Sequence, residues 1–317
     1  MNCLLIGGAG FIGGALTRRL LATGRDVCVL GRRVERPPLL EARASYISGD
    51  YGDSNLLSRA LATADEVVDL AYSTVPKSSF EDPVFDITTN LPQAANLLRM
   101  AAGSRNVRRV LVVSSGGTVY GHARQPPVTE DHPTDPVSPY GITKLAVEKY
   151  ALMYRALNGL PVLIARPANA YGPGQLPFRG QGFIATAMAS ILQQRPLTIF
   201  GGDRIVRDYI HVDDVVAGLL AVLDAGEAGH CYNVGSGVGR ETDEVLRGIL
   251  TAAGLTEAQL QVSRQPARPF DVLSNVLDST KLASQSGWQP AVDFTAGVRD
   301  TWHWMSGQPA SFFHTHA

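Results

Sequence analysis

Through the first half of the chain, short apolar runs rich in β-branched residues alternate with longer stretches whose apolar positions recur every three or four residues. The runs predict strands at 2–7, 27–30, 45–48, 67–70, 109–114 and 161–166, and the periodic stretches predict helices at 11–23, 53–62, 84–103 and 138–158. Such alternation builds parallel βαβ units, and therefore an α/β fold around a doubly wound parallel sheet. Parallel strands are covered on both faces and read as continuous apolar runs, as Val67-Val68 and Val110-Leu111-Val112-Val113 do. Beyond Pro167 glycine and proline punctuate the pattern, and shorter helices are predicted near 183–194, 212–224, 241–253 and 295–306. This later part is expected to form a smaller α/β unit over the carboxyl edge of the sheet, where open α/β sheets bind ligands.

Composition narrows the picture only a little. The 317 residues, 45% hydrophobic and 18% charged, suffice for a full core, and a formal net charge of −1 gives no basic field for a nucleic-acid backbone. The run Cys3-Leu4-Leu5-Ile6 lacks a preceding basic segment and stops at glycines, so it reads as a buried strand rather than a signal peptide or membrane span. Three cysteines without CxxC spacing support neither disulfides nor a thiolate metal site, and a cytoplasmic setting is expected. Glu130, Asp131 and His132, in a proline-rich loop, read as solvated charge. The tail from Phe312 to Ala317, with His314 and His316, is expected to be frayed.

Gly7-Gly8-Ala9-Gly10-Phe11-Ile12-Gly13 lies directly between a predicted strand and a predicted helix. In that context Gly7 allows a tight turn, Gly10 lets a pyrophosphate approach the helix N-terminus, and Gly13 lets the helix sit close on the strand, as in a Rossmann dinucleotide site. The second strand ends Leu30-Gly31-Arg32-Arg33 with no acidic residue to meet the ribose hydroxyls. Arg32 and Arg33 either pair with a ribose 2′-phosphate or remain solvated surface charges, so NAD is expected and NADP admitted. Asp50 and Tyr51, after the third strand, are placed to meet the adenine. Further along, Tyr140 and Lys144 fall one turn apart on one helix, beside an apolar face of Ile142, Ala146, Tyr150, Met153 and Leu157. Next to an ammonium and an oxidised nicotinamide, the phenol of Tyr140 becomes a usable base.

These segments resemble the extended short-chain dehydrogenase/reductases that act on nucleotide sugars, most closely the UDP-glucose/UDP-N-acetylglucosamine 4-epimerase group. The likeness runs through GGAGFIGG at Gly7–Gly14, SSGGTVYG at Ser114–Gly121, SPYGITK at Ser138–Lys144, RPANAYGPG at Arg166–Gly174, RDYIHVDD at Arg207–Asp214 and ARPFDV at Ala267–Val272. It implies Tyr140 as base and Lys144 as its partner, with Phe11, Ile12, Leu70, Ala71, Asn90, Ser114 and Pro167 along the cofactor. It also implies Asn169, Arg207, Arg268 and Asp271 around a nucleotide diphosphate, Thr198 and Phe200 flanking uracil, and Thr74 and Asn275 at the substrate, where a small Asn275 leaves room for an N-acetyl group. His211 resembles a structural residue of that group. A dinucleotide-binding domain is expected at 1–166, with segments returning near 205–235, and a nucleotide-sugar domain at 167–204 and 236–317. The group's homodimer implies pairing through helices 84–103 and 138–158, whose outward faces should be apolar.

In one respect the pattern departs from the group: the usual catalytic hydroxyl position is Gly116, so the hydroxyl must come from Ser115 or Thr118, and both remain open. The expected activity is epimerisation of a UDP-sugar at its 4-position through a transient 4-keto intermediate. The alternatives are an NADPH-dependent 4-ketosugar reductase and a non-catalytic dinucleotide sensor.

Overall fold

The computed structural model describes residues 1–123, 125–201, 205–268 and 271–313. Its strands are β1 (Asn2–Ile6), β2 (Asp26–Gly31), β3 (Ser45–Ser48), β4 (Glu66–Asp69), β5 (Arg109–Val113), β6 (Val162–Pro167), β7 (Asn169–Tyr171), β8 (Leu197–Phe200), β9 (Val206–His211), β10 (Cys231–Val234), β11 (Gly239–Glu241), β12 (Val262–Gln265) and β13 (Ser274–Asn275). The helices are α1 (Phe11–Ala22), α2 (Ser54–Leu61), α3 (Pro76–Glu81), α4 (Pro83–Ala102), α5 (Pro139–Asn158), α6 (Phe183–Leu192), α7 (Val212–Ala225), α8 (Thr242–Ala253), α9 (Thr280–Ser286), α10 (Phe294–Ser306) and α11 (Ala310–Phe313). The strand order β10-β6-β5-β4-β1-β2-β3 makes one seven-stranded sheet, parallel throughout, of the Rossmann type.

Side chains on β1 alternate between two apolar layers, as the period of a strand requires. Cys3 and Leu5 join Leu16 and Leu20 of α1 and Val215 and Leu219 of α7, whereas Leu4 and Ile6 join Leu57 of α2, Leu97 of α4 and Val147 of α5. A third core gathers Ala185 and Met188 of α6, Val245 and Ile249 of α8, and Val298 and Met305 of α10, beside the pair β8 and β12. A small sheet of β11, β9, β13 and β7 completes this region. No described helix is long and apolar enough to cross a membrane.

The main elements start and stop within about two residues of the expected limits. The short pieces α3 and α9 and strands β7 to β9 and β11 to β13 were not visible in the periodicity, because two to seven residues hold too few repeats of either period. Two expectations are corrected. Phe312 and Phe313 are not frayed: they lie in α11, where Phe312 meets the Trp304 ring edge-on at 5.3 Å and Phe313 packs on the third core. His314 and His316 lie outside the described residues. Nor is Glu130 a free surface charge, since its Oε1 accepts the Asn233 amide at 2.7 Å.

Behind that contact lies a buried polar chain that ties α5 to the sheet. Arg166 on β6 donates to both Glu148 carboxylate oxygens, at 3.0 and 2.6 Å, and to the Tyr120 hydroxyl at 2.9 Å; Tyr120 donates to Asn233 at 2.6 Å. Glu148 and Arg166 are both buried, so neither charge has water as an alternative partner. Arg166→Met is therefore expected to cost about 3–5 kcal/mol by stranding Glu148. Urea unfolding checks this, and adding Glu148→Leu should recover most of the loss; no recovery would show that the stranded charge is not the cause.

Candidate active site

The loop after β1 is shaped by contacts that leave no room for a side chain at Gly7, Gly8 or Gly13. Gly7 has φ +82°, and a β-carbon there would lie 2.9 Å from the Ala71 amide nitrogen; one at Gly13 would overlap the Gly7 carbonyl. Gly10 is different, since its nearest neighbour would be 3.4 Å away. Its bareness is not demanded by protein packing, and it starts α1 without any capping side chain. The uncapped N–H groups of that first turn suit an anionic pyrophosphate.

This helix end opens on a cleft of about 510 Å³. Gly7, Gly10, Arg32, Asp50, Tyr51, Leu70, Ala71 and Asn90, all expected around a dinucleotide, share its walls. Asn90 Oδ1 accepts the Ser73 amide at 2.8 Å. Tyr46, Tyr72, Ser73 and Gln93 also line it and were not anticipated, because nothing in their local sequence distinguishes them from core or surface residues. Phe11 and Ile12 pack instead against the core beneath α1. Ser114 and Pro167 sit at the ends of neighbouring strands, outside these walls, and the Ser114 hydroxyl is buried with no described partner. The bare Gly10 and uncapped helix start fit a dinucleotide.

Tyr140 and Lys144 lie on the buried side of α5, which Ser138 caps by accepting the Gly141 amide at 3.2 Å. Ser115 stands close enough to the Tyr140 phenol to lower it, whereas Thr118 Oγ1 is buried without a described partner. Of the two open candidates, the geometry brings Ser115 to the phenol. Lys144 donates to the Val113 carbonyl at 2.9 Å and stands 4.1 Å above the Tyr72 ring, which meets Tyr140 edge-on at 4.8 Å. Tyr72 thus takes part of the place expected for the phenol, and Lys144 is 5.8 Å from the Tyr140 ring centre.

One electrostatic expectation is corrected here. Burial and then the Asp86 carboxylate push the Tyr140 phenol above its usual value, and Ser115 alone opposes them. Lys144 is too far off, and engaged with Val113, to hold the phenol down. Burial pulls Lys144 down to about 8, against the pull of Asp69, Glu148 and Asp86. Asp69, at the end of β4, is pushed up to about 6 by burial, against Lys144 and the Ala71 amide 3.1 Å away. Between those values both carry charge. Neither Asp69 nor Asp86 was foreseen; a lone aspartate in a strand or a first helical turn carries no signal of its burial.

Thr74 faces inward rather than toward open space: its hydroxyl donates to Asp86, whose other oxygen accepts from Thr143 at 2.6 Å. Elsewhere the expected diphosphate residues converge. Arg268 grips Asp271 through two hydrogen bonds of 3.0 and 2.8 Å and lies 4.9 Å over the Phe200 ring. Arg207 is lowered from the usual guanidinium value, first by burial and also by Arg268, while Tyr209 and Asp271 oppose this. Asn169 donates to the Asp208 carbonyl at 3.3 Å, and Asn275, wholly buried, donates to the Gly116 carbonyl at 3.0 Å. Thr198 is exposed on β8, two residues before Phe200. His211 is packed, as expected, edge-on to Tyr171 at 5.5 Å. No group of three His, Cys, Asp or Glu among the described residues is arranged to hold a metal.

The model of the NAD dependent epimerase/dehydratase family matches residues 3–235. The chain belongs to that family. It is 36% identical over 308 residues to a UDP-glucose 4-epimerase of Mycolicibacterium smegmatis, covering 95% of this chain and 97% of that one. Its fold superposes on the UDP-glucose 4-epimerase of Thermus thermophilus in complex with NAD, with a TM-score of 0.89, 33% identity and coverage of 97% and 99%. It superposes equally on the dTDP-glucose 4,6-dehydratase DesIV of Streptomyces venezuelae with NAD bound, at a TM-score of 0.90 and 30% identity, covering 97% of each chain. The cofactor of this family member is NAD, and the chain is an enzyme.

Gly116 is fixed by more than the loss of a hydroxyl. A β-carbon there would lie 2.5 Å from Leu277 Cδ1 and 2.8 Å from the Arg166 carbonyl, while one at Gly117 would find nothing closer than 3.6 Å. Gly116→Ser is expected to destabilise by about 1–3 kcal/mol, because a strand carbonyl cannot step aside. Gly117→Ser should be tolerated, and thermal unfolding of the two variants distinguishes them.

Proposed function

We propose that the enzyme epimerises a UDP-sugar at its 4-position, UDP-glucose and UDP-galactose or their N-acetylated forms, through a transient 4-keto intermediate. The observation that carries this reading is the Ser115–Tyr140 pair, adjoining the dinucleotide cleft through Tyr72 and Lys144. Bound NAD supplies a hydride acceptor that later returns the hydride. Tyr140 takes the proton of the 4-hydroxyl and gives it back, Ser115 orients the reacting oxygen, and Lys144 keeps positive charge beside the cofactor. Arg207 and Arg268 grip the diphosphate, Phe200 and Thr198 flank the base, and Asn169, Asp271 and Asn275 complete the substrate site, with Thr74 turned away from it onto Asp86. Holding the nucleotide firmly leaves the sugar free to turn between the two hydride transfers.

The similarity to dehydratases does not favour that reaction, because a dehydratase of this superfamily needs an acid pair right after its catalytic threonine, and after Gly116 this chain has Gly117-Thr118. Residues 1–166 and 205–235 are assigned to the dinucleotide, and 167–204 with 236–317 to the sugar nucleotide. A second copy of the chain is assigned to the paired outer faces of α4 and α5. There the apolar stripe of α5 points outward, with Ile142 56% and Leu157 75% exposed, beside exposed Val84, Phe85 and Ile87 of α4.

Two outcomes test these assignments. Tyr140→Phe is expected to bind NAD normally while losing at least about a hundredfold in the rate of UDP-galactose formation from UDP-glucose, followed by NMR. More than about a tenth of wild-type rate would remove Tyr140 as the base. Sedimentation should give a dimer at micromolar concentration, and Ile142→Glu with Leu157→Glu should give a folded monomer; a wild-type monomer would refute the pairing.

A further inference from the structure

The cleft has a second end. Along the sheet, β2 lies three strands from β5, or roughly 14 Å from the Val113 carbonyl that holds Lys144. A dinucleotide with its nicotinamide near Tyr140 and its pyrophosphate on α1 therefore brings its adenosine ribose to the end of β2. A carboxylate at that strand end would accept hydrogen bonds from both ribose hydroxyls and repel a phosphate.

Here the strand ends at Gly31, and the space beside it is already taken. A β-carbon at Gly31 would meet the Tyr46 hydroxyl at 3.2 Å. That hydroxyl lies 3.0 Å from the Gly31 carbonyl and 2.8 Å from the Arg33 carbonyl, which also accepts from Ser48 at 2.8 Å. The turn is thus held by uncharged groups, and it delivers Arg32 and Arg33 to the cleft wall. Neither guanidinium makes a hydrogen bond or ion pair with a described residue. Asp50 is the one carboxylate on the wall, and its Oδ1 is engaged by the Gly52 amide at 2.8 Å. Two cations without a hydrogen-bond or ion-pair partner among the described residues face a ribose position without an opposing carboxylate from the strand end.

We propose that the cleft contains a phosphate subsite at the adenosine ribose, with Arg32 as its main ligand and Arg33 beside it, so that the enzyme binds the 2′-phosphorylated dinucleotide as well as NAD. Guanidinium matches phosphate geometry through paired, charge-assisted hydrogen bonds, whereas the unphosphorylated ribose gains little from either arginine. The proposal rests on the reading of the cleft as the dinucleotide site.

Calorimetric titration of cofactor-freed protein with NAD and with NADP tests both. Wild type is expected to bind the two within about tenfold of each other. Arg32→Ala should weaken NADP by about tenfold or more, the size expected for one charge-assisted contact, and leave NAD within about twofold. Arg32→Asp should reverse the preference toward NAD. Wild-type binding of NADP more than about a hundredfold weaker than NAD would overturn the subsite while leaving the cleft reading intact, as would equal weakening of both dinucleotides by Arg32→Ala. Absence of binding of either dinucleotide to wild type would overturn the cleft reading and the subsite together.

Discussion

A parallel sheet covered by helices on both faces leaves its polar chemistry only one exit, the carboxyl ends of its strands, and everything at this site follows from that constraint. The interior side chains of β1, β4, β5 and β6 are buried and mostly apolar, with Glu66, Asp69 and Arg166 as buried charged exceptions. The cleft and its surroundings are built at the strand ends: the glycine loop after β1, Gly31 to Arg33 at the end of β2, Asp69 to Ser73 at the end of β4, and Ser114 and Ser115 after β5. Because β4 and β5 are adjacent, the segments following them meet, and α5 crosses beside them to bring Tyr140 and Lys144 to the same edge. The close seat of α1, which only glycine at position 13 permits, fixes the helix end that faces the cleft.

Burying this chemistry creates electrostatic demands that the fold meets with a second set of polar residues. Asp86 accepts from Thr74 and Thr143; Asn90 donates to the Asp86 carbonyl at 2.7 Å and accepts from Ser73; Ser79 accepts the Tyr140 amide at 3.1 Å. This network joins α3 and α4 to the start of α5, so that the reacting phenol is held from behind. Its negative charge also raises Tyr140, and burial raises it further. The protein alone therefore stores the tyrosine as a neutral phenol. When bound, an oxidised nicotinamide would pull the other way through its positive charge, so that in the proposed reaction Tyr140 would accept a proton more readily beside the oxidised cofactor.

Asp208 plays a comparable part beneath the sugar-nucleotide residues. It is fully buried, and its oxygens accept from the Ser236 amide at 2.9 Å, the Gly237 amide at 3.2 Å and the Leu277 amide at 3.2 Å. It thereby fastens the loop after β10 to the segment after β13, next to Asn275 and Gly116. Leu277 in turn occupies the space that a side chain at position 116 would need. The missing hydroxyl is thus built into the packing, and Ser115 is the hydroxyl near the phenol.

The sequence by itself determined the alternating elements, the order of the parallel units, the glycine loop and the Tyr140–Lys144 spacing, because each depends on neighbours within a few residues and leaves a periodic or local pattern. It also marked part of the cleft wall, Gly7, Gly10, Arg32, Asp50, Tyr51, Leu70, Ala71 and Asn90, but not Tyr46, Tyr72, Ser73 or Gln93. Only the tertiary structure brought Ser115 rather than Thr118 near the phenol, placed Tyr72 between Lys144 and Tyr140, and buried Asp69, Asp86 and Asp208. Those outcomes depend on which distant segments share one strand end or one helix face. Whether an aspartate is solvated or buried is a property of packing that no short stretch of sequence encodes.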